Sequence, residues 1–248
     1  MNEREFIARV EAANTQELIQ ILSRPSLEED RVLRLHLGTE RYERLRQLAL
    51  QTGGKRGVKK GNVVVLHGIM GGELTVYNNK TEQRIWLHFP RLIIGGAGWL
   101  RMRDGGVSIY DVRATGILKK WYSELLLGLA QDWNVQAFWF DWRRDLADAA
   151  DALNDKISEW FGQDTPVHLV GHSMGGLVAR TFILRQAERW NRAWDENGKG
   201  LKGGRLVCSG RRITVPLRFR KSALESKDRC ASWSSPISST TRANWSAS

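Results

Sequence analysis

Val167-His168-Leu169-Val170-Gly171-His172-Ser173-Met174-Gly175-Gly176 carries a short apolar strand into a bend of small residues built around one serine. Beyond it, Leu177, Val178, Thr181, Phe182 and Leu184 recur at helical spacing, so the stretch reads as strand, sharp turn and helix. A serine hydroxyl at its ordinary pKa is a poor nucleophile. A fold that uses one holds it at a strained apex, within reach of a base and of backbone N–H groups that receive an oxyanion. The spacing Gly171-x-Ser173-x-Gly175 suits such a nucleophile elbow, because side chains at the flanking positions would collide with the adjoining strand and helix. The plain alternative is a glycine-rich turn without chemistry; the strand before and the helix after the serine weigh against it.

A second stretch supports the first. Asn62-Val63-Val64-Val65-Leu66 is the unbroken β-branched run expected of a parallel strand buried on both faces, and it ends in His67-Gly68-Ile69-Met70-Gly71-Gly72. That loop resembles the oxyanion loop of lipases. The resemblance implies two backbone donors, the N–H of Ile69 and the N–H of Met174, the residue after the serine. A tight turn that only needs its glycines is the competing reading.

Together His67-Gly68-Ile69-Met70-Gly71-Gly72-Glu73-Leu74, Phe140-Asp141-Trp142-Arg143 and Gly171-His172-Ser173-Met174-Gly175-Gly176-Leu177-Val178-Ala179-Arg180 resemble the lipase-like, lecithin–cholesterol acyltransferase-like branch of the α/β-hydrolases, over roughly Lys60 to Val207. The resemblance implies a mostly parallel central sheet with helices on both faces. It also implies hydrolysis or transfer of acyl groups of lipid esters through a Ser-Asp-His triad, acid and histidine following the serine in chain order. Ser173 is then the nucleophile. Asp141 reads as half of a charged pair organising its loop, since the triad acid belongs after the serine.

The order of histidines departs from that pattern. His36, His67, His88, His168 and His172 all precede Ser173, so the triad acid and base are missing from the expected place. His172, adjacent to Ser173 on the turn, is the substitute to consider, but the bend points neighbouring side chains apart. The expectation is a serine ester hydrolase of lipase or esterase type by family, inactive in this chain. An O-acyltransferase and a non-catalytic fragment or binding module are the alternatives.

After Val207 the apolar periodicity stops. Residues 208–248 hold ten serines and eight Lys or Arg against Glu225 and Asp228, so six of the eleven net positive charges lie there. We read this basic segment as disordered, or as truncation or a shift of reading frame after Val207. Codons exist for Cys208 to Arg220 that, read one base back, give (Met)-Leu-Gly-Thr-Pro-Asn-His-Gly-Ser, resembling the strand and loop that follow the nucleophile helix in this branch. With little aromatic interleaving and no RNA-binding motif, the tail is not read as a nucleic-acid partner.

The remaining organisation reads as a helical extension over 1–51, a basic Gly/Lys linker over 52–61, and a partial hydrolase domain over 62–207. Strands are expected at Val107–Tyr110 and Val135–Phe140, and helices at Ile117–Trp133 and Asp145–Phe161. Cys208 and Cys230 build no disulfide framework or cysteine-based metal site. No metal or cofactor is expected. The charged start lacks an apolar leader and no apolar run approaches a spanning helix, so a cytoplasmic location is expected, with peripheral lipid contact left open. The acyl-ester or lipid substrate has no assigned binding residue. Trp86, Leu87, Phe89, Leu92, Ile93 and Ile94 are the candidates for an acyl-chain surface, most other tryptophans being read as core.

Overall fold

The computed structural model describes residues 2–54, 57–78, 81–86, 96–103, 106, 108–163, 165–192 and 204–210. They belong to one compact unit, Met1–Arg212; a second unit, Ile213–Ser248, lies outside the described residues.

Four helices open the chain: α1 (Glu3–Ala12), α2 (Thr15–Ser23), α3 (Leu27–Leu37) and α4 (Thr39–Gly54). Their borders follow from local chemistry. Asn14 with Glu17 and Ser26 with Glu29 form reciprocal capping boxes, Pro25 falls in the break between α2 and α3, and Gly38, at φ 85°, ends α3. Helix α4 continues through Gly54, into the stretch read as linker.

The chain then runs through β1 (Asn62–Leu66), β2 (Gly72–Asn78), β3 (Thr81–Arg84), a 3₁₀ turn at Gly96–Leu100, β4 (Asp111–Ile117), α5 (Lys119–Ala130), β5 (Asn134–Phe138), α6 (Leu146–Phe161), β6 (Val167–His172), α7 (Met174–Arg185), α8 (Ala187–Arg192) and β7 (Leu206–Ser209). A four-stranded parallel sheet has the order β5-β1-β6-β7. Its register sets Leu66 opposite both Phe138 and Gly171, and Gly171 opposite Cys208, so the carboxyl ends of the strands finish level. Ligands of open α/β sheets bind at that edge.

Both faces of this sheet are covered, which explains the unbroken apolar run of β1: Val63 to Leu66 are at most 3% exposed. Alternate residues point opposite ways. Val63, Val65, Val135 and Ala137 share a core with α1 to α5, through residues such as Leu22, Leu45, Leu126 and Leu127. Val64, Leu66 and Phe138 pack instead with Ala150, Leu153 and Ile157 of α6 and Val178 and Phe182 of α7. Residues 1–51 and 62–207, separated in sequence by a basic stretch, thus contribute to one core.

Two expectations need correction. The strand sought at Val107–Tyr110 lies instead at Asp111–Ile117 and belongs to a second, antiparallel sheet of order β3-β2-β4, inserted between β1 and α5. Ile109 and Tyr110 form an exposed bend, while Val112 and Ile117 carry the burial; Asp111, Arg113 and Gly116 between them hid the strand pattern. Cys208 and Ser209, assigned to the basic tail by composition, are the second half of β7. There Val207 is 45% exposed on a strand paired, among the described residues, only with β6.

Candidate active site

Both non-glycine residues with positive φ among the described residues fall in the two glycine-rich stretches: Ser173 at φ 50° and Met70 at φ 62°. Such backbone is costly for a side-chain-bearing residue and persists only where the surroundings over-determine it. Around Ser173 the surroundings are glycines. A Cβ on Gly171 would stand 2.6 Å from the Cα and N of Gly176, and one on Gly175 would stand 2.6 Å from the carbonyl oxygens of Leu66 and His67. The helix α7 therefore starts directly against the ends of β6 and β1. Ser173 N–H donates to Ser209 O at 2.8 Å and Gly176 N–H to Ser173 O at 2.9 Å, fixing both sides of the bend.

The loop after β1 lies on this bend. A Cβ on Gly68 would be 3.0 Å from the Cβ of Ser173 and 2.8 Å from Nδ1 of His172, so only a bare backbone fits between. Residues 68–71 form a turn closed by Gly71 N–H to Gly68 O at 2.9 Å, with Ile69 and Met70 at its tip, 59% and 48% exposed. Met174 opens α7, and the first N–H groups of a helix have no intrahelical acceptor. Ile69 and Met174 thus sit on two loops brought into contact by Gly68.

His67 pins the loop from below. It is fully buried, stacked on Phe140 with ring centroids 4.2 Å apart, its Nδ1–H donating to Gly68 O at 2.7 Å and its Nε2 accepting Phe140 N–H at 3.2 Å. Burial lowers its pKa to about 4, against the opposing hydrogen bonds, so the ring is neutral and both nitrogens are occupied. A folded pKa below the unfolded 6.5 means that the unfolded chain binds the extra proton between these values. The stability His67 contributes above pH 6.5, about 3 kcal/mol, is lost as pH falls through about 4. We expect ring-carbon NMR to show no titration of His67 above pH 5; a midpoint near 6.5 would contradict the buried assignment.

His172 is exposed and turns toward α5, its Nδ1 lying 2.8 Å from the Tyr122 hydroxyl. No hydrogen bond joins the Ser173 hydroxyl to a histidine ring among the described residues, which exclude His88. Asp141 and Arg143 form a buried bidentate pair that also reaches Leu100 O and Ser108 Oγ, tying the end of β5 to the segment before β4. Two indoles brace the loop after β1: Trp86 Nε1–H donates to Met70 O at 2.7 Å and Trp142 Nε1–H to Gly72 O at 3.2 Å. Sequence reading gave Trp86 only an acyl-contact role. Leu87, Phe89, Leu92, Ile93 and Ile94 lie outside the described residues. Among the described residues no cluster of three His, Cys, Asp or Glu side chains is placed to hold a metal, and no helix is long and apolar enough to cross a membrane.

A curated relative, the uncharacterized protein YJR098C of Saccharomyces cerevisiae, is 28% identical over 138 residues, covering 50% of this chain and 21% of its own length. The chain therefore spans about a fifth of that relative. The model of the alpha/beta hydrolase family matches residues 63–247, beginning one residue into β1 and running through both glycine loops and α7. With that match laid over a parallel sheet whose level carboxyl ends carry the strained serine, the chain belongs to the alpha/beta hydrolase family.

Proposed function

We propose that the site is that of a serine hydrolase acting on acyl esters, lipid esters foremost, with Ser173 as nucleophile and the N–H groups of Ile69 and Met174 as oxyanion donors. The observation that carries the reading is the close approach of Gly68 to Ser173, which sets a donor-bearing loop beside a strained serine. In the reaction, Ser173 Oγ bonds to the ester carbonyl carbon while the carbonyl oxygen takes up negative charge facing the two N–H groups. Collapse of that intermediate breaks the bond to the alcohol and leaves an acyl-serine, which water then cleaves. The serine proton must pass to a base and then to the departing alcohol. The occupied nitrogens of His67 and the Tyr122 contact of His172 argue against either ring serving as that base.

We therefore propose that this chain carries the nucleophile and oxyanion donors but lacks the acid and base, as the reading of residues 208–248 as truncated or out of frame requires. An enzyme stripped of a triad member retains on the order of 10³–10⁴-fold acceleration over water. The expected outcome is slow labelling of Ser173 by a fluorophosphonate and p-nitrophenyl ester turnover at that residual level, both abolished by Ser173→Ala. Turnover undiminished by Ser173→Ala sinks the nucleophile assignment. Fast Ser173-dependent turnover sinks the missing base, and coding DNA without a one-base route to the alternative reading near Val207 sinks the frame shift. Adding a long-chain alcohol as acceptor separates hydrolysis from acyl transfer by the product formed.

A further inference from the structure

Tyr122 lies on the first turn of α5, 7% exposed, and no sequence pattern separates it from the apolar residues around it. Its ring belongs to the core shared by α1 to α5 and the sheet. Its oxygen does something else: it accepts the N–H of Gly68 at 2.9 Å and lies 2.8 Å from Nδ1 of His172. One of these partners immediately precedes Ile69; the other immediately precedes Ser173. We infer that the Tyr122 hydroxyl is a positioning group that ties the loop after β1 to the serine bend, holding the Ile69 and Met174 N–H groups at a fixed separation. The inference rests on the reading of those two groups as oxyanion donors.

The bonding closes without a remainder. Burial raises the phenol's pKa, so it keeps its proton. The oxygen accepts from Gly68, its own O–H goes to Nδ1 of His172, and the ring proton of His172 then sits on Nε2. The surroundings leave room for this oxygen alone, since a Cβ on Gly71 would stand 2.8 Å from it. The turn that carries Tyr122 is itself held: Leu118 N–H donates to Gly71 O at 3.0 Å, and Lys119 N–H donates to the Glu11 carboxylate at 2.8 Å. The loop after β1 is thus fastened to α5 at Gly68 and again at Gly71. His172, sequence-adjacent to the serine, acts in this arrangement as an anchor for the bend.

Tyr122→Phe removes the tie and keeps the ring. In the full chain with ¹⁵N-labelled histidine, we expect His172 Nδ1 to give the signal of an unprotonated acceptor, and Tyr122→Phe to shift it toward the averaged signal of a free imidazole. An unchanged His172 spectrum overturns the tie. For fluorophosphonate labelling of Ser173, the expected result is a maximal rate lowered on the order of 10²-fold, the cost of about 1 Å of misplacement, with the half-saturating probe concentration unchanged. His172→Ala, at an exposed position, cuts the tie from the other end and serves if Tyr122→Phe does not fold. The double variant is expected to lose no more than the larger single loss, because one tie cannot be cut twice. Multiplying losses, or an unchanged maximal rate, mean that Tyr122 only packs. If Ser173 does not label in the parent chain, the hydrolase reading fails, and the nitrogen spectrum still decides whether the tie exists.

Discussion

Gly175→Ala is expected to leave no folded protein under conditions in which the parent chain folds. The added methyl would stand 2.6 Å from both the Leu66 and the His67 carbonyl oxygens, distances that real Cβ atoms do not show. The obstacle is backbone, and it cannot retreat. Leu66 is paired on one side with Phe138 and on the other with Gly171, and His67 is pinned by Gly68 O and Phe140 N–H. Helix α7 would have to lift off the sheet, exposing Val178, Ala179 and Phe182, all at most 2% exposed. Losses above about 4 kcal/mol come from few mechanisms, backbone overpacking among them, and a domain has only about 5–15 kcal/mol to lose. A matched control lies on α5. Gly128 is helical, and a Cβ there meets nothing within 4 Å, so Gly128→Ala should gain roughly 0.5–1 kcal/mol through the lower entropy of the unfolded chain. Circular dichroism with urea titration of the two variants reads both effects. A Gly175→Ala variant within about 1 kcal/mol of the parent would mean that the strand-to-helix junction is looser than its contacts indicate.

The same junction explains what was legible in the sequence. Positions where backbone meets backbone admit only glycine, so Gly68, Gly171 and Gly175 announce close approach directly, and β1 announces burial on both faces by having no polar residue after Asn62. The α/β-hydrolase class and its parallel sheet follow from those marks. The features that escaped notice depend on distant pairing. β4 reads as a broken pattern because its partners are β2 and, through the second sheet, β3, and the charges that interrupt it point to solvent. Tyr122 is an aromatic residue among leucines, and its hydroxyl acquires meaning only when Gly68 and His172 arrive from 54 and 50 residues away. The opening helices read as a separable extension because helical periodicity shows that a face is buried without showing against what. A buried glutamate on α1 is the clearest instance.

Glu11→Ala is expected to cost about 3–5 kcal/mol, the range for removing one partner of a buried charge pair, although it touches no residue of the candidate site. Glu11 is 2% exposed at the end of α1; one carboxylate oxygen accepts Lys119 N–H at 2.8 Å, and the other meets His36 Nε2 at 2.8 Å. It thereby supplies α5 with the cap that Leu118, at the helix start, cannot provide. The Lys119 ammonium, 1% exposed, donates to Glu11 O at 2.6 Å and takes its principal countercharge from the same residue. Burial lowers the Lys119 pKa to about 8, with the Glu11 charge opposing and Glu17 helping against Arg84. Burial also raises the Glu11 carboxyl, but the His36 and Lys119 contacts outweigh it and leave its pKa lowered. The signs fix the pH dependence. A lysine whose folded pKa lies below its unfolded value binds fewer protons when folded, so in the parent chain stability rises from about pH 8 toward 10.5. A carboxylate with a lowered pKa contributes stability above its unfolded value of 4.5 that is lost as pH falls through the folded pKa. The pair is fully charged between those limits, so the deficit of Glu11→Ala should be greatest from about pH 5 to 8 and shrink above 8 as Lys119 is neutralised in the parent too. Urea midpoints of parent and variant from pH 5 to 9.5 measure it. A deficit below about 1 kcal/mol, flat across that range, would mean that α1 merely rests on the sheet. A deficit of the expected shape makes the opening helices part of the frame that holds α5, and through Tyr122 the two donor loops.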